Sequence, residues 1–152
     1  MIEIQPHGSV IAIRMARTFL GRPLYWTAAY WLEGLLIDSG PPCLAEALVQ
    51  AVEPLGVEQI VVTHGHEDHT GGLAALRRRF PLAPIRASAG TIPLITEAQP
   101  RGQRFYQRLL WGAPQAVADI ETLGLEVRAG PFTLRVIETP GHSRDHIVFF
   151  EP

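Results

Sequence analysis

The chain of 152 residues has no lysine, one cysteine and no unbroken apolar run of membrane-spanning length. Each shortage excludes something. A single thiol, Cys43, cannot close an internal disulfide, so oxidative stapling is not what holds the fold. The N-terminus has no basic segment leading into an apolar stretch and cleavage site, and the expected compartment is therefore a reducing cytoplasm. The most apolar stretch, from Leu24 to Ile37, is interrupted by Glu33-Gly34 and falls short of the roughly 20 residues a spanning helix needs, so no membrane partner is expected. A net charge of −2 gives no general attraction to nucleic acid. All 13 basic residues are arginine, and no function is read from that choice. What remains is 47% hydrophobic and 18% charged, enough apolar material for a sizeable core and too little charge for disorder.

Hydrophobic periodicity divides the chain into short elements. Ile2 to Gln5, Val10 to Met15, Thr27 to Leu32 and Leu35 to Ile37 read as strands joined by turns. Leu44, Ala45, Leu48, Val49 and Val52 recur at helical spacing, which predicts a helix over 44–52. The continuous apolar run Ile60 to Thr63 suits a strand buried on both faces, and helical spacing resumes from Leu73 to Phe80. Further on, a strand is expected at Ile85 to Ala87, helices at Thr91 to Ala98 and Arg104 to Trp111, and strands at Leu125 to Arg128, Phe132 to Glu138 and His146 to Phe150. No repeat, linker or low-complexity tract divides these residues, so 1–152 is read as one domain.

The chemistry concentrates between the buried strand and the helix after it, in Thr63-His64-Gly65-His66-Glu67-Asp68-His69-Thr70-Gly71-Gly72. Residues two apart in an extended segment point the same way, so His64 and His66 can address one point. The start of a turn lets Asp68 and His69 face a neighbouring point. Imidazole and carboxylate donors suit zinc, iron or manganese. His142, in the turn Thr139-Pro140-Gly141-His142, is the remaining ligand candidate, because such a turn can aim a side chain into a cleft at a sheet end. Asp68 either orients an attacking water and accepts its proton or acts as a plain ligand. Asp38 is read as supporting the ligands or as a turn residue, and His146 as orienting a ligand or contacting substrate.

These motifs resemble the metallo-β-lactamase-fold superfamily: His64-x-His66-x-Asp68-His69 followed by Gly71-Gly72, the strand ending Leu36-Ile37-Asp38-Ser39-Gly40, and Thr139-Pro140-Gly141-His142-Ser143 match its pattern in order and spacing. The resemblance implies an α+β fold, an αββα sandwich with two facing sheets and helices outside. It implies that His64, His66 and His142 bind a first metal, that Asp68 and His69 contribute to a second, and that Asp38 supports the metal loops. It also shows what is missing: the Gly-Asp segment whose aspartate bridges the two metals, and a later histidine. The domain is therefore expected to be incomplete at its C-terminus, with an apolar face covered by a second copy of the chain or by a complementing C-terminal segment.

The expected reaction is metal-assisted hydrolysis of an ester, thioester, lactone or amide carbonyl in a small molecule, with one or two zinc ions and with iron or manganese as alternatives. Three other readings compete. A ribonuclease or phosphodiesterase needs a basic track, for which Arg101, Arg104 and Arg108 or Arg77-Arg78-Arg79 are candidates, although a solvated helix face and a favourable helix C-terminus explain them more simply. A sulfur dioxygenase would place one iron on His64, His66 and His142. A fragment of a longer enzyme would bind metal and catalyse nothing. Tyr106 and Trp111, between the two motifs, are expected to shape a substrate pocket. Tyr25, Trp26, Tyr30 and Trp31 are read as sheet packing.

Overall fold

The computed structural model of the chain describes residues 1–97, 108–109 and 111–152. The chain opens with an antiparallel meander of β1 (Ile2–His7), β2 (Val10–Phe19), β3 (Arg22–Leu32) and β4 (Leu35–Ile37). Two-residue turns join β2 to β3 and β3 to β4, with φ of 48° and 77° at Leu20-Gly21 and 44° and 83° at Glu33-Gly34. Two successive left-handed residues give a turn whose twist matches that of the strands it joins. The apolar stretch from Leu24 to Ile37 is thus a hairpin folded back on itself, and no helix among the described residues is long and apolar enough to cross a membrane.

The chain then alternates between helix and strand: α1 (Ala45–Val52), β5 (Gln59–Val61), α2 (Glu67–Thr70), α3 (Leu73–Arg79), β6 (Ile85–Ala87), α4 (Ile92–Thr96) and β7 (Ile120–Thr122). Strands β4 to β7 pair in parallel and extend the meander into a seven-stranded sheet whose spatial order follows the sequence. Strand β7 is absent from the periodicity reading, because three residues held by one parallel neighbour leave no pattern. The last three strands, β8 (Glu126–Ala129), β9 (Phe132–Glu138) and β10 (Ile147–Phe150), form a separate antiparallel sheet. Gly130-Pro131 turns β8 into β9, with glycine at φ 53° in the first position and proline in the second.

Two apolar layers hold the sheets. On one face of the large sheet, Ile13, Met15, Leu36, Ile60, Val62 and Ile85 pack with Leu48 and Val52 of α1, Leu73 and Leu76 of α3 and Ile95 of α4. On the other face, Leu32, Leu35 and Val61 meet Val127, Ala129 and Leu134 of the small sheet. Ile60 and Val61 thus face opposite layers, which is the two-sided burial expected of that apolar run. Each such fully buried aliphatic side chain contributes about 1.5–3 kcal/mol. The helix, large-sheet and small-sheet layers are those of the αββα sandwich. The small sheet is tied to the large one beside the polar loop, where Ile147 N–H donates to the Thr63 carbonyl at 2.9 Å. Elsewhere a trough of about 660 Å³ opens between the sheets, walled by Leu32, Ile37, Phe132, Leu134 and Phe149 and reaching Asp38, His69 and His146.

Candidate metal centre

The polar loop leaves β5 in extended conformation and enters α2 at His66, whose carbonyl accepts the N–H groups of His69 and Thr70 at 3.0 Å each. Gly71 and Gly72 let that short helix press on the loop after β4. A Cβ on Gly71 would stand 2.1 Å from Pro42 Cδ and 2.4 Å from Pro42 N, and one on Gly72 would stand 2.2 Å from the Ser39 carbonyl oxygen. The contact is locked by Ser39 N–H donating to the His69 carbonyl at 2.7 Å and Gly72 N–H to the Gly40 carbonyl at 3.2 Å. Asp38, buried at the end of β4 with φ 64°, thereby comes to lie beneath the histidines.

His64, His66 and His142 bring one ring nitrogen each within 4.8 Å of one another. His66 Nδ1 lies 3.1 Å from His64 Nε2 and 3.1 Å from His142 Nε2. A ring nitrogen has a single in-plane lobe, either an N–H or a lone pair, so His66 Nδ1 cannot hydrogen-bond both neighbours properly. Three lone pairs aimed at one cation resolve the conflict. Nitrogens about 2.0–2.1 Å from a tetrahedral zinc stand about 3.3–3.4 Å apart, close to the spacing seen here. The donor set therefore fits a metal ion.

Asp38 sets the tautomers. Its Oδ2 lies 2.7 Å from His69 Nδ1 and accepts the Thr63 hydroxyl at 2.8 Å, while Oδ1 accepts Thr63 N–H at 2.8 Å. With His69 Nδ1 protonated toward Asp38, His69 Nε2 is left with its lone pair, 3.7 Å from Asp68 Oδ2. The Thr63 hydroxyl, donating to Asp38, can accept from His64 Nδ1 at 3.0 Å, which leaves His64 Nε2 its lone pair as well. One carboxylate thus prepares two imidazoles. Burial first, and then the imidazoles of His69, His66, His146 and His142, push the His64 pKa down to about 3. Burial works in the same direction on His69, but its hydrogen bond to Asp38 and the charges of Asp38, Asp68 and Glu67 outweigh burial and raise its pKa.

The structure brings His64, His66, His142, His69 and Asp68 to one place at the sheet end, with Asp38 below. His146 stands beside them, its ring 4.9 Å from that of His64 and its Nδ1 2.8 Å from the Thr139 hydroxyl. Tyr106, Arg101 and Arg104 lie outside the described residues, as does most of the helix expected at Arg104 to Trp111. Trp111 packs edge to face on Tyr25 at 5.1 Å. The groove that reaches Asp68 and His69 from the β3 side is walled by Tyr25, Trp26, Thr27 and Tyr30, with the Arg14 guanidinium over the Trp26 ring. Tyr25, Trp26 and Tyr30 thus border the site, against the sheet-packing expectation, while Trp31 does pack on the helix-side core and donates its indole N–H to the Gly56 carbonyl. Arg77 donates to the carbonyls of Ala118 and Asp119, Arg78 pairs with Glu46, and Arg79 pairs with Glu53. The arginine run binds its own protein. Sequence reasoning passed over Thr63 and Asp145; the signals available were that Thr63 adjoins His64 and that Asp145 shares a turn with His142.

Comparison with known proteins decides the lineage. A family model, described as the metallo-beta-lactamase superfamily, matches residues 28–152. The chain belongs to that superfamily. Hydroxyacylglutathione hydrolase from Cupriavidus taiwanensis is 35% identical over 114 residues, 75% of this chain and 38% of the relative. The enzyme of the same name from Synechococcus sp. is 30% identical over 134 residues, 85% of this chain and 43% of the relative. The chain thus spans about two fifths of the length of these curated relatives. Among solved structures, the subclass B3 metallo-beta-lactamase MEM-A1 from a soil metagenome library has a TM-score of 0.72 at 24% identity, covering 95% of this chain and 55% of that one. A metallo-beta-lactamase from Pontibacter korlensis scores 0.70 at 23% identity, covering 100% and 67%. At those identities the lactamases speak for the fold alone.

Proposed function

We propose that the protein is a metal-dependent hydrolase of small-molecule carbonyl substrates, with a thioester as the first candidate. The observation that carries this reading is the convergence of one ring nitrogen from each of His64, His66 and His142. The thioester choice is supported by relatives at 30–35% identity named hydroxyacylglutathione hydrolase. In this reading His64, His66 and His142 hold a zinc ion, and His69 with Asp68 offers donors for a second. When bound, the metal polarises the carbonyl and makes water acidic enough to attack at neutral pH.

The chain's own residues do the rest. Asp38 and Thr63 keep His64 and His69 in the tautomers that present Nε2 to the site. Asp68, whose carboxylate borders the groove beside Tyr25 and Tyr30, is placed to accept a proton from the attacking water. His146, hydrogen-bonded through Nδ1 to Thr139, packs its ring beside that of His64 and helps to orient it.

The test is thiol release from an acyl-thioester by zinc-loaded protein, beside a β-lactam and an RNA. Zinc-dependent thioester cleavage that H66A reduces at least 100-fold is the expected result. Cleavage of RNA alone, or oxygen consumption by an iron-loaded sample, would replace this reading with the phosphodiesterase or dioxygenase alternative.

A further inference from the structure

The peptide between His64 and His66 is held by a residue that plays no part in the chemistry above. Gly65 N–H donates to Asp145 Oδ2 at 2.8 Å. The same oxygen accepts the hydroxyl of Thr91 at 2.7 Å. Thr91 is wholly buried at the start of α4, and its hydroxyl is braced by Ser88 Oγ at 2.9 Å. Asp145 lies three residues beyond His142, in the turn that carries this histidine into β10. Its carboxylate therefore joins the loop bearing His64 and His66, the turn bearing His142 and the loop between β6 and α4. From the other side α4 closes on the same peptide, since a Cβ on Gly65 would fall 2.4 Å from Leu94 Cδ1.

We propose that Asp145 is a positioning residue for the metal centre. By fixing the Gly65 peptide against the turn that bears His142, it brings the three imidazoles together before a metal arrives. This inference rests on the metal reading above. A tilt of the Gly65 peptide moves His64 and His66 together, because they flank it. A shift of the 142–145 turn moves His142 relative to both. The Gly65 and Thr91 hydrogen bonds to a carboxylate are charge-assisted, the stronger class. A carboxylate that only supported the fold would affect melting of the metal-free protein without changing how the folded protein grips metal.

The test is cobalt(II) titration of the metal-free full chain, followed by visible absorption and by competition with a chromophoric chelator. It compares wild type, D145A, D145N and T91V at a temperature where circular dichroism shows each one folded. D145A is expected to lose about 10- to 100-fold in cobalt affinity and to shift the absorption band of the bound ion, as when partners that orient metal ligands are removed. D145N, whose amide oxygen can accept the same two donors, recovers most of the affinity. T91V, which removes one donor without opening a cavity, falls in between. Wild-type affinity and an unchanged band in D145A would overturn the proposal; if D145A does not fold, unchanged affinity in T91V does so. Failure of wild type itself to bind cobalt or zinc would instead remove the metal reading, and this proposal with it.

Discussion

Asp38 holds a left-handed backbone, φ 64°, from which its carboxylate meets the His69 imidazole and the Thr63 hydroxyl at once. Aspartate and asparagine both tolerate this conformation, so D38N keeps the backbone and changes only the acceptor. It is expected to lower zinc affinity about 10- to 100-fold, measured by chelator competition, because an amide presents one oxygen where two now accept three hydrogen bonds. His64 makes a separate prediction about pH. Its pKa in the fold, about 3, lies below the ordinary 6.5, so the fold favours the neutral ring. The stability that this neutral ring carries is present above pH 6.5 and is lost as pH falls toward about 3. His69 runs the other way: its pKa is raised, so its contribution is intact below 6.5 and is lost as pH climbs through the raised value. Melting of metal-free protein should therefore drop steeply on the acid side, and H64N should flatten that drop. An equal acid slope in H64N would show that another group is responsible. The candidate ligands were legible in the sequence because period-two spacing and a Pro-Gly turn are local signals. The Asp38–Thr63 link was not, because it joins residues 25 apart across two parallel strands.

At the scale of elements, the glycines of the polar loop separate rigid obstacles from yielding ones. The Cβ of G72A would meet the Ser39 carbonyl at 2.2 Å, and backbone cannot step aside cheaply. The Cβ of G65A would meet Leu94 Cδ1 at 2.4 Å, the end of a half-exposed side chain that can swing away, and Leu94 Cβ at 2.9 Å, which moves only with α4. G72A is expected to cost about 1–3 kcal/mol in urea unfolding and G65A less, with L94A, which removes Cδ1 but keeps Cβ, restoring only part of the G65A loss. A larger loss in G65A than in G72A would contradict this account of the packing. Element by element, the sequence revealed the amphipathic α1 and the apolar run that carries β5, because burial sets their pattern. It concealed β7, whose three residues depend on β6 for their pairing, and the full reach of β2 and β3, whose outer halves project beyond the core with Phe19 and Leu20 exposed.

At the scale of the whole molecule, the trough between the sheets leaves apolar side chains of both facing water. Val10, Leu32, Phe132 and Phe149 line a volume of about 660 Å³, an opening large enough for a peptide segment or a drug-sized ligand. The protein as it stands is expected to enhance the fluorescence of an apolar dye such as ANS in its native state, and the sedimentation coefficient is expected to rise with concentration. Covering the trough with an added segment that fills it should abolish both signals. A sedimentation coefficient that stays constant with concentration while dye still binds would show that the trough is a ligand cleft and not a seam.

The position of His142 has one further consequence. His64 and His66 hang from the large sheet, while His142 belongs to the turn between β9 and β10 of the small one, and the hydrogen bonds from Ile147 to Thr63 and from Gly65 to Asp145 join the two at this end. An ion held by all three rings is then a rivet through two plates: it cannot be gripped unless the sheets keep their separation, and the sheets cannot part without releasing it. Affinity for the ion becomes cohesion of the sandwich, about 2.7 kcal/mol at a free concentration one hundred times the dissociation constant. Chelation should accordingly lower the melting temperature, and it should expose the amides of β8 to β10 to hydrogen exchange before those of the large sheet.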